Sequence, residues 1–493
     1  MAAGIAAAPG SEGRDPWRPL YHFAPERHWI NDPNGLVYAH GEYHLFFQHN
    51  PRGERWGHMS WGHAVSPDLL SWSELPLALE GDEGARMYFS GSAVVDRANT
   101  AGFASAGEPA LVAVYTAVAG GIQRQEIAFS LDRGRSWTEY GENPVLDLGS
   151  REFRDPKVFW HEPGSRWVMV VSRGAERRLQ LYASRDLVSW EHLSDFGPDS
   201  VPVKNWECPD LFELPVEGAP GETRWVLQID VGDGAVAGGS GGRYLVGDFD
   251  GTRFVPDGPG DELLWVDHGP DFYAAQSWSD APDGRRLWVA WMSNWDYAAE
   301  TPTAGWRGAM SVPREVGLRR FAEGVRLVQR PVAELEAWRQ RPVEVGGADL
   351  AASNARLSAP DARGTALDLE VALEPAGAEV VGVAVRRGAG EETRVGYDAR
   401  SREVFLDRTR SGAVGFHPAF PGRYTAPLQP EGGRVRLRIL VDASSVEVFA
   451  GGGRVSITAS VFPQPASDGV AAFAEGGVPA EVSVRLWRLR PPP

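Results

Sequence analysis

The chain has 493 residues and a formal net charge of -17, which excludes the clustered cationic surface that nucleic acid or anionic lipid requires and favours a neutral substrate. Its single cysteine, Cys208, excludes an internal disulfide and any multi-cysteine zinc site, so stability has to come from packing. With 58 glycines, 37 prolines and 19 tryptophans, the composition predicts many turns and aromatic-rich strands, in a chain long enough for two domains.

Residues 1–19 read as an N-terminal tail. Their small residues lack a basic segment ahead of a sustained apolar run, which makes a poor secretory signal. A cytoplasmic protein is expected if Met1 is the natural start, and a secreted one if the N-terminus is trimmed. No run approaches the roughly 18 apolar residues of a membrane span, so no membrane partner is expected. The first informative stretch is WINDPNG (29–35), which strings four turn formers together and, taken alone, is a turn containing Asp32.

Paired apolar strands then recur, following Asp32, Gly91, Asp155, Asp210 and Phe272, at a spacing of roughly 50 to 65 residues that matches four-stranded propeller blades with their loops. Several units share an ending: AVSPDLLSW (64–72), AFSLDRGRSW (128–137), ASRDLVSW (183–190) and, more weakly, VGDFDGTRF (246–254). This repeat predicts a five-bladed β-propeller over 20–330. Residues 331–345 have helical spacing and read as a short linker. From 346 to 493 the alternation of apolar and polar residues predicts a β-sandwich, giving an all-β chain.

First strands line the axis of a propeller, so residues at equivalent ends of several blades converge on one mouth of its channel. Asp32, Asp155 in FRDPKVF (153–159) and Glu207 in ECPDLF (207–212) each fall just before the first strand of a unit. FSGSAV (89–94) and FYAAQSW (272–278) fill the same place in the other two units. Each acid alone has an ordinary reading as a turn or cap residue; the shared repeat position is what sets them apart. Paired carboxylates across a glycosidic bond support hydrolysis, one protonating the leaving oxygen and the other attacking or activating water. Asn31 and Asn34 are expected to keep Asp32 ionised, and Trp206, Cys208 and Pro209 to give Glu207 a less polar setting that favours its acid form. Trp29, Trp56, Trp206 and Trp295 are candidate apolar faces for a sugar.

WINDPNG, FFQHNP (46–51), FSGS (89–92), FRDP and ECPDLF, in that order, resemble the signature blocks of glycoside hydrolase family 32, the β-fructosidases that include invertases, inulinases and levanases. The likeness extends through WMSNWDYAAETPTAGWRGAMSVPREV (291–316) and SSVEVFAGGGRVSITASVFP (444–463). It implies a five-bladed propeller with an appended sandwich, retaining chemistry without a cofactor or metal, and a fructan or sucrose substrate. By motif, Asp32 is the implied nucleophile and Glu207 the acid/base, with their carboxyls about 5 to 5.5 Å apart. Asp155 is implied to bind fructosyl hydroxyls with help from Arg154, while Asn31 flanks the nucleophile and Gln48, Trp56, Ser92 and Trp295 hold the terminal fructose. The TPTAGWRGAMSVPRE block favours exo-acting release of fructose from levan or inulin, with sucrose as a further substrate. The alternatives are a fructosyltransferase of the levan fructotransferase type and a non-catalytic carbohydrate-binding propeller.

Overall fold

A computed structural model describes residues 15–492 apart from 83–84, 105–107, 202 and 259–261. The tail residues 1–14, on which the signal-peptide reading rests, lie outside the described residues. Among the described residues, no helix is long and apolar enough to cross a membrane.

The N-terminal part is a propeller of five blades among the described residues. Blade I opens with His28–Ala39, blade II with Arg86–Asp96, blade III with Arg154–His161, blade IV with Lys204–Glu217 and blade V with Tyr273–Ser277. Each of these strands pairs antiparallel with the strand that follows it. They are neighbours in a closed ring, I to II to III to IV to V and back to I. Those of blades I to III, being buried on both faces, carry few exposed residues and are rich in apolar and small side chains. The ring is closed by the segment Trp306–Arg307, which pairs in parallel with His28 and Trp29.

Each of the five inner strands has a break in register near its start, and His28–Ala39 has a second between Asn34 and Val37. The breaks near the starts fall between Ile30 and Pro33, Phe89 and Gly91, Arg154 and Lys157, Glu207 and Asp210, and Tyr273 and Gln276. An extra residue at such a point bends the strand and re-aims its side chain. Asp155, Cys208 and Ala274 sit at these breaks with φ of +66°, +45° and +56°, a left-handed conformation that is unfavourable for L-residues. The acids expected just before the strands therefore lie within them, at these irregular starts.

The C-terminal part is a sandwich of a six-stranded and a five-stranded sheet around a core rich in Val, Leu and Ile. Residues 331–345 are not a free linker. Ala333–Trp338 is a 3-10 turn that buries Leu335 and Trp338, and Val343–Val345 pairs with Glu481–Arg488 as an edge of the six-stranded sheet. Apolar residues at helical spacing drew this segment into the core. The sandwich also holds a short α-helix, Leu350–Leu357, capped by the Asp349 side chain on the Ala352 N–H at 3.0 Å.

Candidate active site

The irregular strand starts meet at one mouth of the propeller, around a cleft of about 490 Å³ lined by residues from all five blades. Asp32 (blade I), Asp155 (blade III) and Glu207 (blade IV) all line it, as do Asn31, Gln48, Trp56, Arg154 and Trp295. Asp32 and Asp155 share one neighbour: the Cys208 Sγ lies 3.5 Å from Asp32 Oδ2 and 3.7 Å from Asp155 Oδ2, and the Cys208 N–H donates to Asp155 Oδ2 at 3.0 Å.

Asp32 is held on both oxygens. Asn31 Nδ2 donates to Oδ1 at 3.0 Å and Ser90 Oγ donates to Oδ2 at 2.5 Å. Asn31 is itself fixed by the Trp29 indole N–H at 2.8 Å. Asn34 does not reach Asp32: its amide nitrogen faces Ser90 Oγ at 3.3 Å and its oxygen accepts from Gln48 Nε2 at 2.9 Å. Burial pushes the Asp32 carboxyl above its ordinary range, more than the hydrogen bonds from Ser90 and Asn31 hold it down, and the nearby Glu207 charge adds to the rise. The rise is opposed by Ser90 and Asn31, rather than by the two asparagines expected.

Glu207 is surrounded by donors and not by the apolar neighbours that its sequence context implied. Arg154 Nη2 donates to Oε1 at 2.7 Å, Asn205 Nδ2 donates to the same oxygen at 2.8 Å, and the Tyr273 hydroxyl donates to Oε2. Trp206 points the other way along the strand and is fully buried in the blade core, so it gives Glu207 no apolar wall. Trp29 is likewise buried, stacked under Trp295 at 6.0 Å, which leaves Trp56 and Trp295 as the tryptophans that face the cleft. Arg154 serves Glu207 more closely than Asp155, whose Oδ2 is 3.9 Å from its Nε.

Burial pushes the Asp155 carboxyl up to about 7, with Arg154 opposing and the charges of Glu207 and Asp32 reinforcing the rise. Behind Glu207, directly across the strand pair, lies the fully buried Asp230. It accepts from Gln228 Nε2 at 2.6 Å, and burial holds its carboxyl well above the ordinary range. Four carboxyls from three blades thus share one region of low dielectric.

Ser92 is not part of the cleft. It is 1% exposed, and its hydroxyl donates to the Pro156 carbonyl and accepts from the Val158 N–H, both at 2.9 Å, which fastens blade II to blade III. Ser90, two residues earlier, is the serine of FSGS that lines the cleft, and its hydroxyl is spent on Asp32. Two residues apart on a regular strand would face alike, but the break in register places Ser90 as the extra residue and turns it to Asp32. Gly91 permits this: a Cβ there would sit 2.1 Å from the Val114 carbonyl oxygen. Ser90, Gln123, Glu152, Asn205 and Tyr273 also line the cleft, and the motif reading did not single them out as site residues. Ser90 and Tyr273 had a signal, being in the segments placed at the same position of blades II and V; the others had none.

Below the cleft the channel is filled. Lys157 Nζ donates to the Ser277 carbonyl at 2.5 Å and pairs with Asp210 at 3.3 Å, while Gln276 Nε2 crosses to the Gly91 carbonyl at 3.0 Å. The cleft is therefore a blind pocket.

Comparison with known proteins matches residues 22–331 to the model of the glycosyl hydrolases family 32 N-terminal domain and residues 334–488 to that of the family 32 C-terminal domain. A levanase of Bacillus subtilis (strain 168) is 50% identical over 483 residues, covering 97% of this chain and 71% of its own length. An extracellular exo-inulinase of Aspergillus awamori is 40% identical over 515 residues, covering 96% and 95%. Among solved structures, an exo-inulinase from Aspergillus awamori superposes with a TM-score of 0.90 at 36% identity, covering 98% of this chain and 99% of that one.

Proposed function

The chain belongs to glycosyl hydrolases family 32 and is a fructose-releasing glycosidase of fructans, and on that premise we propose that Asp32 and Glu207 carry out a retaining, exo-acting reaction. The observation that carries this reading is the meeting of Asp32, Asp155 and Glu207 from three blades in one blind pocket. A blind pocket admits a chain end and not a chain interior, which supports exo action on levan or inulin, and it also accommodates the fructosyl unit of sucrose.

In the first step Glu207 gives its proton to the oxygen leaving the anomeric C2, and Asp32 attacks that carbon to form a covalent fructosyl-enzyme. In the second step Glu207 takes a proton from water, whose oxygen displaces Asp32 and releases fructose with retained configuration. Arg154, Asn205 and Tyr273 orient the Glu207 carboxyl throughout. Asp155 accepts from sugar hydroxyls, and Trp56 and Trp295 supply apolar faces to the ring's C–H groups. The site is assembled by the propeller alone among the described residues, since no sandwich residue lines the cleft.

Incubation with sucrose, inulin and levan, followed by chromatography, tests this directly. Free fructose is the expected first product. Dianhydrides or longer oligomers would establish transfer to a sugar hydroxyl instead, and three uncut substrates would reject the assignment.

A further inference from the structure

A second cavity, of about 690 Å³, opens at the opposite mouth of the propeller, where the inner strands end. It is larger than the cleft that holds the three acids and falls within the ~300 to 1,000 Å³ range of small-molecule sites. Asp155 and Trp160 lie on the same strand five residues apart, which puts about 16 Å between the two mouths. The Lys157, Asp210, Ser277 and Gln276 network between them blocks passage, so anything held at the second mouth arrives from the other face of the molecule.

Two tryptophans among the described residues are exposed, and there is one at each mouth. Trp56 (46%) stands at the cleft already described, and Trp160 (37%) at the second cavity. Trp160 is braced edge-on against Trp167 at 5.1 Å, and its indole N–H is held by Glu162, so its ring is fixed as a platform. The charges lining the cavity balance: Arg97, Lys157 and Arg286 face Glu162, Glu213 and Asp280. The Arg97–Asp280 pair closes at 3.0 Å. Arg286 lies over the Phe212 ring at 5.1 Å and has a single hydrogen bond, 3.4 Å to Ser277 Oγ, so most of its donors are open to an occupant. Balanced charge with a fixed aromatic face and spare donors suits a neutral polyhydroxyl chain better than an anion.

We propose that this second mouth is an ancillary binding site for fructan chains, with Trp160 as its stacking platform and Arg286 and Glu213 bonding the sugar hydroxyls. It rests on the reading of fructans as substrates. Held on the reverse face, a long polymer stays near the enzyme while its free ends reach the catalytic pocket, which raises their effective concentration without touching the chemistry.

The test compares wild-type protein with Trp160→Ala and, because removing a braced ring can disturb packing, the conservative Glu213→Gln at an exposed side chain. Electrophoretic retardation in gels containing levan or inulin is measured alongside kinetics on sucrose and on polymer. The expected result is about three- to tenfold weaker retardation and a similarly higher KM on long-chain fructan for Trp160→Ala, with a smaller change of the same sign for Glu213→Gln. Sucrose kinetics and polymer kcat should stay at wild-type values. Unchanged retardation in both variants, or a KM rise equal for sucrose and polymer, overturns the proposal. Wild-type protein that cleaves none of the three sugars overturns the substrate assignment instead, so the two failures are distinguishable.

Discussion

Ser90 and Asn31 hold separate oxygens of Asp32, and together they oppose a burial that drives its carboxyl upward. As the proposed nucleophile Asp32 has to be ionised, and the ionised form is lost as pH falls through its pKa. Ser90→Ala removes the shortest of its hydrogen bonds, so the acid limb of kcat/KM is predicted to move to higher pH. A pH profile on sucrose checks this, and an unmoved limb would contradict the role given to Ser90. The three acids were legible because they recur at one repeat position, which a linear sequence displays. Ser90 was not, because the choice between two serines in FSGS depends on a break in strand register that no residue type announces. The setting of Glu207 failed for a related reason: sequence neighbours on a strand point to opposite faces, so Trp206 lies in the core while Arg154, Asn205 and Tyr273 reach the carboxyl.

The shared endings noticed in the sequence form one repeated turn. In SPDLLSW, Asp68 Oδ1 accepts from the Leu70 and Ser71 N–H groups at 3.0 and 2.6 Å, and the Trp72 indole N–H caps the Leu69 carbonyl at 3.0 Å. In SRDLVSW, Asp186 Oδ1 accepts from Val188 and Ser189 at 2.9 and 2.7 Å, and Trp190 caps Leu187 at 3.0 Å. Asp132 and Trp137 repeat the design on blade II, whereas Asp250 keeps only the backbone bonds. Burial opposes ionisation of Asp186, but its backbone and serine donors prevail and hold the carboxyl below its ordinary value. Asp186→Ala is expected to cost about 1 to 2 kcal/mol in urea unfolding at neutral pH while leaving kcat unchanged. Because the carboxyl is depressed in the folded state, its contribution is present above the ordinary value of 3.8 and is lost as pH falls through the lower folded one. Wild-type and variant should therefore converge in strong acid. Periodicity revealed these turns, but it misjudged 331–345, where apolar residues at helical spacing serve a 3-10 turn and a sandwich strand.

Propeller and sandwich are joined by buried ions. Arg314 pairs with Asp267 at 3.0 Å and with Glu447 of the sandwich, and Arg408 of the sandwich pairs with Asp271 of the propeller at 2.5 Å. His22, ahead of blade I, completes the network, with Nδ1 2.8 Å from Asp442 and Nε2 2.8 Å from Glu447. Burial alone would lower its pKa, but the hydrogen bonds to the two carboxylates prevail and raise it to about 9. A raised histidine stabilises fully below its ordinary value of 6.5 and loses that contribution as pH climbs through about 9, worth roughly 3 kcal/mol over that window. The urea midpoint should fall between these pH values in wild-type protein and stay flatter in His22→Gln; parallel profiles would contradict the assignment. On the proposed mechanism, two successive displacements at Asp32 release the sugar with its configuration retained. With methanol competing against water, NMR of the methyl fructofuranoside is predicted to show the β anomer, and the α anomer would exclude a fructosyl-enzyme at Asp32.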